Sequence, residues 1–550
     1  MPLGPGTRAA AAALLILGAM PRLLGEEAAP ASFDFVVYGG TAGGVIAAVA
    51  AAREGLRVAL LEPGTHLGGM VAGGLGYTDH ANTEVIGGYS LEFFQRVGSH
   101  YHEPKTWYFE PHVAEQVFGE LIREAGVHVF FHHRLREKTG VVKHGTEIDR
   151  IVMENGATFH SRLFADAGYE GDLMAQSGIS YTWGREAVTE YGESLAGVRE
   201  RTPMHQFLVR VNPFDARGRL LPEVAPWPRG EIGAADRKVQ AYTFRVCTTD
   251  RADNRLPFPK PENYNVNRYE LLRRMLVEID KRKTVAALGR QRWELDPLYH
   301  LDEPWSISDV LLPRAITHGK YDTNNNGAFS TDYIGGNYDY PDGDYQTRAR
   351  IWQQHADYVK GFLYFVTTDP RVPKGLRDAM ATWGLCKDEF VDNDHWPFQL
   401  YVREARRMRG DFVFSQKDIQ TDRTKPDVIG MGSYHSDSHN VQRVATADGV
   451  ENEGDMQVPV RPYQIPYRLI VPKRTEATNL LVPVAFSATH VAYSTLRMEP
   501  QYMIIGHAAG VAAKLALDAR QPVQDVDTSA LAAKLRAQRA VLQWPREAGQ

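Results

Sequence analysis

Cysteine is nearly absent: 550 residues hold two, Cys247 and Cys386. Two thiols cannot supply the four ligands of an iron–sulfur cluster. Their distance in sequence excludes a C-x-x-C redox motif. They suffice for one disulfide, which an oxidising compartment would permit. Apolar runs are short. Ala9–Met20 falls well below the roughly 20 residues a membrane span needs. Charge of one sign is not in excess either. The formal net charge of −5 gives no reason to expect nucleic acid or an anionic membrane as partner. Calcium's last ligand is also missing. DTNNNGAFSTD, from Asp322, looks like half an EF-hand loop, with Asp322, Asn324, Asn326 and Gly327 in place. The twelfth position is Tyr333, where calcium needs a bidentate glutamate. No metal is therefore expected.

What is present begins with Arg8, the apolar run to Met20, Pro21, and small residues from Glu26. That order reads as a secretory signal over residues 1–31, without a twin-arginine pair. It predicts export to the periplasm or beyond, and no membrane span in the mature chain. The composition of the whole chain, 43% hydrophobic and 23% charged, is that of a soluble globular protein. The length predicts two to four domains.

The stretch FDFVVY–GGTAGG–VIAAVAAAREG–LRVALLE, from Phe33, reads as strand, glycine turn, helix and strand. Gly39 and Gly44 fit the first and third glycines of G-x-G-x-x-G, and Thr41 stands at the second. Threonine is compatible with that place if its backbone angles are ordinary and its hydroxyl points to phosphate. Gly39, Gly40, Thr41, Ala42, Gly43 and Gly44 are thus expected to cradle a pyrophosphate at a helix N-terminus. Glu62, 23 residues after Gly39, ends the second strand and can accept from ribose hydroxyls.

Pro63 follows, then Gly64, Gly68, Gly69 and Met70. The pattern E-x-G-x-x-x-G-G over Glu62–Gly69 resembles FAD-binding proteins of the glutathione-reductase superfamily. Further segments resemble a bacterial family of exported FAD-dependent oxidoreductases, some of whose members carry a xanthan-lyase label. They are HLGGMVAGGLGYTD, ADAGYEGDLMAQSG, NNNGAFSTDYIGGNYDYP, DSHNVQR and LLVPVAFSATHVAYSTLRMEPQYMIIGHAAG. No independent polysaccharide-lyase domain is visible.

The resemblance implies an α/β fold: a Rossmann-like FAD-binding domain of the glutathione-reductase type with a large α+β substrate-domain insert. It implies FAD as cofactor. Leu135 would touch the adenine end through its backbone, and Asp166 would lie beside FAD. Arg497 would place charge near the flavin pyrimidine edge or pair with Glu499. The helix containing Gly506 would aim its N-terminus at that edge. Glu170 and Asp172 read as carboxylates at a helix N-terminus.

The βαβ rhythm lapses between about Tyr181 and Gly454, where helices are predicted from Arg268 and Tyr345. The expected organisation is 32–185 and 455–540 for the FAD-binding domain, 186–454 for a substrate cap, and 541–550 for a tail.

Flavin carries the hydride, so the protein must orient substrate and move a proton. SYHSDSHNVQRV gathers His435, Asp437, His439, Asn440 and Arg443, with one potential carboxylate–histidine pair. His439 is the expected base, Asn440 an orienting amide, and Arg443 an anion or oxyanion clamp. The same segment also reads as a polar loop bonded to its own backbone. His490 is a second candidate base or an FAD contact, and Tyr77 and Asp79 are candidate lining residues.

The expected reaction is hydride transfer from a small polar molecule, such as a saccharide-type alcohol, to FAD. The electron acceptor is left open among oxygen, a quinone and a cytochrome. A fumarate-reductase-like desaturase or reductase, with Arg443 as proton donor or carboxylate anchor, is a second reading. A non-catalytic scaffold is a third.

Overall fold

A computed structural model describes residues 31–281 and 304–545. The signal-like run and residues 546–550 of the expected tail lie outside the described residues. The chain enters through β1 (Ala31–Tyr38), α1 (Ala42–Arg53) and β2 (Val58–Glu62). β1 and β2 are parallel neighbours, as the apolar runs predict. β3 (His128–Phe131) extends the parallel set beyond β2. The hairpin β4 (Val141–His144) and β5 (Glu147–Val152) leads into β6 (Thr158–Asp166). β6 lies parallel to β1 on its other side. A short strand, Leu480–Leu481, pairs in parallel with the end of β6, so the C-terminal part of the chain completes this seven-stranded sheet.

Two short helices follow strand ends: α2 (Gly69–Ala72) after β2, and α3 (Asp172–Gln176) after β6. The intervening chain forms a five-stranded antiparallel sheet. Its strands are β7 (Val246–Thr249), β8 (Arg255–Leu256), β9 (Leu311–Ala315), β10 (Tyr321–Asn325) and β11 (Gly384–Cys386), in the order β9-β10-β7-β11-β8. The helix predicted from Tyr345 is α4 (Tyr345–Thr368), and the one predicted from Arg268 runs over Glu270–Asp280. The EF-hand resemblance dissolves here: Asp322 lies within β10, and its carboxylate holds Arg245 through Nε and Nη2 at 2.8 Å each. Cys247 on β7 and Cys386 on β11 are buried with their sulfurs 2.9 Å apart.

The last long helix, α5 (Glu499–Ala519), packs directly on α1. A Cβ on Gly506 would lie 2.1 Å from the Gly43 carbonyl oxygen, and one on Gly510 would lie 2.4 Å from that of Ala47. The two backbones touch because neither glycine carries a side chain. That contact fixes the N-terminus of α1 against the sheet. Among the described residues no helix is long and apolar enough to cross a membrane.

Candidate active site

The glycine turn opens onto a cavity of about 750 Å³. Gly39, Thr41, Glu62, Pro63, Gly69, Arg134, Gly168 and Tyr169 line it. Gly39 has φ of +104°, and a Cβ there would meet the Gly168 nitrogen at 2.6 Å, so only glycine fits. Glu62 ties the two glycine clusters together. Its carboxylate accepts from the Gly40 N–H at 2.8 Å and from the Gly64 N–H at 2.6 Å. Burial pushes its carboxyl up to about 7.

Thr41 resolves differently from expectation. Its backbone is ordinary, with φ −62° and ψ 168°. Its hydroxyl does not point outward to phosphate. It caps α1, accepting from the Gly44 N–H at 3.1 Å and donating to the Ala167 carbonyl at 2.8 Å. Helix geometry leaves the N–H groups of Ala42 and Gly43 without intrahelical acceptors, so the first turn keeps its affinity for anionic oxygen.

Three further residues expected at the cofactor also have packing roles within the protein. The Leu135 N–H donates to the Tyr38 hydroxyl and its carbonyl accepts from Tyr345, so both backbone groups are already used. Asp166 is fully buried and accepts from the Gly168 and Met174 N–H groups, holding the turn into α3. Gly506 touches Gly43 in the helix interface. Gly68, with φ of +95°, would clash with Phe118 if it carried a Cβ. The Met70 N–H donates to the Tyr169 hydroxyl at 2.9 Å, and that hydroxyl donates to Glu499 at 2.8 Å. Asp172, expected at a helix N-terminus, sits there on α3 and is bound by Arg348 and Arg406.

Beyond Tyr169 lies a cluster of buried charge. Arg497 donates to Tyr401 at 3.0 Å and to the Asp437 carboxylate at 3.2 Å. Arg403 lies over the Tyr401 ring, 4.9 Å from its centroid, and pairs with Asp332 Oδ1 at 2.9 Å. The other oxygen of Asp332 meets His439 Nδ1 at 2.6 Å. The Asp437 carboxylate stands 4.0 Å from His439 Nε2. The His439 backbone N–H is fixed by the Gln240 side chain at 3.2 Å. Burial, then Arg403, lowers the His439 pKa, so the ring is neutral near pH 7. Burial would raise Asp332, but Arg403 and His439 outweigh it and hold that carboxyl well below its usual range. Asp79, half-buried, interacts electrostatically with Arg245, Tyr401 and Arg497.

His439, Asp437 and Arg497 are thus brought together, and the carboxylate closest to His439 is Asp332, 107 residues away in sequence. The Asn440 amide Nδ2 is buried without a partner among the described residues. Arg443 is not available as a clamp. Its guanidinium donates to Asn452 and to the Ala328 carbonyl, and it stacks over Phe329 at 4.6 Å. His490 is locked onto Glu404 at 2.7 Å, and burial pushes it down to about 3. It belongs to a structural network with Arg407 and Glu186. Tyr77 stacks on Tyr108 and donates its N–H to Asp322.

Asp332, Arg403, Tyr401, Gln240 and Gln501 carry no signal of their own in the sequence, and Glu499 stands there only as a candidate partner of Arg497. Asp332 lay inside the quoted segment NNNGAFSTDYIGG, which was its only signal. The acidic and histidine cluster Glu110, His112 and Glu389 has the spacing of a metal site, but Lys320 Nζ bonds both glutamates at 2.6 Å.

The sequence model of the FAD dependent oxidoreductase family matches residues 34–535, and the chain belongs to that family. It is an FAD-dependent oxidoreductase, and its cofactor is FAD. No curated protein matches. Similar solved structures include OxyS anhydrotetracycline hydroxylase from Streptomyces rimosus, 15% identical over 32% of this chain and 41% of that one, with a TM-score of 0.23. NikD, an amino acid oxidase of nikkomycin biosynthesis, is 14% identical over 28% of this chain and 56% of its own, with a TM-score of 0.22. A 3-ketosteroid dehydrogenase from Rhodococcus jostii RHA1 is 14% identical over 24% of this chain and 45% of its own, with a TM-score of 0.19.

The residues present fit FAD. The glycine cradle admits backbone-close phosphates. At the N-terminus of α5, Glu499 Oε2 and both polar atoms of the Gln501 amide are buried without partners among the described residues. Those donors and acceptors suit the alternating edge of a pyrimidine ring. Bound FAD supplies the hydride acceptor.

Proposed function

We propose that the protein oxidises a small neutral polar substrate, of the saccharide-alcohol kind, with His439 as base. The carrying observation is the Asp332–His439 pair at 2.6 Å beside Tyr401 and Arg497. Asp332 on Nδ1 leaves Nε2 to accept the hydroxyl proton as the adjacent C–H bond gives up hydride. Asp332 then stabilises the imidazolium. Asn440 contributes an unpaired amide donor to orient the substrate oxygen.

A neutral substrate follows from the charge balance. Arg245, Arg403 and Arg497 each have a carboxylate, in Asp322, Asp332 and Asp437. A fumarate-like dicarboxylate would need an arginine with charge to spare, and Arg443 is occupied elsewhere.

In this reading the fold is of the glutathione-reductase type. Parallel β3-β2-β1-β6, an antiparallel hairpin and the Glu62–Gly69 pattern support it. Residues 32–185 and 455–540 form the FAD-binding unit, and 186–454 the substrate cap. The return of Leu480–Leu481 to the sheet and of α5 to α1 supports that division. Export rests on the N-terminal sequence pattern alone.

The test is anaerobic mixing of FAD-loaded protein with pooled sugars and polyols, hydroxy acids, or amines. Bleaching of the flavin band near ~450 nm by the sugar pool is expected. A flavin that no pool reduces would overturn the reading.

A further inference from the structure

Arg403 is the most enclosed cation near His439. Its side chain is 0% exposed. Only one of its three nitrogens is used: Nη1 serves Asp332 and the Ala241 carbonyl. Nε and Nη2 have no hydrogen-bond partner among the described residues. These two atoms form the side-on edge of the guanidinium, with two parallel N–H bonds. Leaving such donors dry and unpaired is among the costlier arrangements in a protein interior. An acceptor pair carried by a ligand removes that cost. Arg245 shows what the edge takes: its Nε and Nη2 each reach one oxygen of Asp322 at 2.8 Å.

The structure offers the Arg403 edge no carboxylate, and the surrounding charge disfavours importing one. Asp322, Asp332 and Asp437 already balance the three guanidiniums, and Asp79 adds a further negative charge within reach of Arg245 and Arg497. A ligand carboxylate on that edge would add negative charge beside Asp332 and Asp437, with Arg403 and Arg497 already matched. Two neutral oxygens on adjacent carbons satisfy the same geometry without that repulsion.

We propose that Arg403 is a substrate-binding residue whose Nε–Nη2 edge holds the two oxygens of a vicinal diol, which makes the substrate a diol-bearing sugar or polyol. The inference rests on the proposed alcohol oxidation and deepens it. Asp332 lies between Arg403 and His439, one oxygen on each, so the diol-binding edge and the base are oriented by the same carboxylate. Asn440 Nδ2 adds a second unpaired donor in the segment that carries the base.

The experiment uses full-length, FAD-loaded protein and follows flavin reduction anaerobically. Glucose, galactose, mannose and myo-inositol are each compared with a monodeoxy analogue lacking one oxygen of a diol. Lactate and glycolate are the carboxylate probes. The expected result is reduction by at least one diol, with half-saturation shifted upward by roughly 10- to 100-fold for its deoxy analogue. Arg403→Lys keeps a cation beside Asp332 but lacks the two-pronged edge. It should raise the half-saturating concentration of the diol toward that of the deoxy analogue and leave the analogue's own value nearly unchanged, with FAD content unaltered.

Equal saturation by diol and deoxy analogue in the wild type, which requires no variant to fold, would overturn the inference. So would preference for lactate or glycolate, while leaving His439 as base intact. An Arg403→Lys protein that loses FAD or shifts the flavin spectrum, with diol saturation unchanged, would assign the edge to the cofactor and also overturn it. Absence of flavin reduction by every probe would instead bring down the alcohol-oxidation reading itself.

Discussion

Gly506→Ala is the sharpest structural perturbation this fold offers. The added methyl would sit 2.1 Å from the Gly43 carbonyl oxygen and 3.0 Å from its carbonyl carbon. Ordinary contact needs at least about 1 Å more, so α1 and α5 must separate. The obstructing atoms are backbone in the buried stretch Ala42–Ala51 of α1, and no rotamer change relieves them. Overpacking of this kind costs about 1–3 kcal/mol, and an unyielding neighbour places it at the upper end. Alanine returns about 1 kcal/mol of helix propensity, which leaves a net loss of about 2 kcal/mol. Gly119→Ala is the matched control. It too lies inside a helix, Pro111–Ala125, but its methyl would meet only the mobile end of Arg123 at 3.4 Å. It should gain up to about 1 kcal/mol. Urea unfolding followed by circular dichroism separates the two. Because α1 opens at the cofactor cavity, Gly506→Ala should also weaken FAD retention. Equal unfolding midpoints for the two variants would refute the backbone-contact argument.

Other consequences are equally direct. Thr41→Val removes both the α1 cap and the bond to Ala167, and should cost about 1–2 kcal/mol in unfolding free energy, with Thr41→Ser close to wild type. The affinity of the Ser variant for FAD should match wild type, since the hydroxyl faces inward. Burial raises the Glu499 carboxyl to about 8, above its unfolded value, so the folded protein holds the proton longer. That stabilisation is full below pH ~4.5 and is lost as pH rises through about 8. In FAD-free protein, Glu499→Gln should therefore gain on wild type by about 2–3 kcal/mol between pH 6 and 8, read from urea midpoints, and a constant difference would contradict the buried-acid account.

The sequence was most readable where structure is local. β1, the turn, α1, β2 and Glu62 follow from apolar runs and glycine spacing within 30 residues, and the folded chain keeps that order. The turn's positive-φ glycine and its second glycine cluster are likewise local demands of backbone geometry. The charge cluster is not local. In the sequence His439 stands out for its neighbours Asp437 and Asn440, but in the fold its closest carboxylate comes from Asp332 and its backbone anchor from Gln240. Those pairings depend on how the intervening chain folds back. Arg403 gave no signal, because its isolation depends on which acceptors packing denies it. Arg443 misled for the converse reason: in the sequence it adjoins the base, and in the fold it is consumed by Asn452 and Ala328. Leu135 is engaged in the same way, its backbone groups being used by Tyr38 and Tyr345.

In the proposed reaction His439, oriented by Asp332, removes the substrate proton during flavin reduction. The most direct measurement is the anaerobic flavin-reduction rate constant in FAD-loaded wild type and His439→Ala, at saturating substrate from the pool that bleaches the flavin. A fall of roughly 10²- to 10⁴-fold in the variant, with FAD content unchanged, is expected, the range of general-base contributions. Equal rate constants in the two proteins would contradict it.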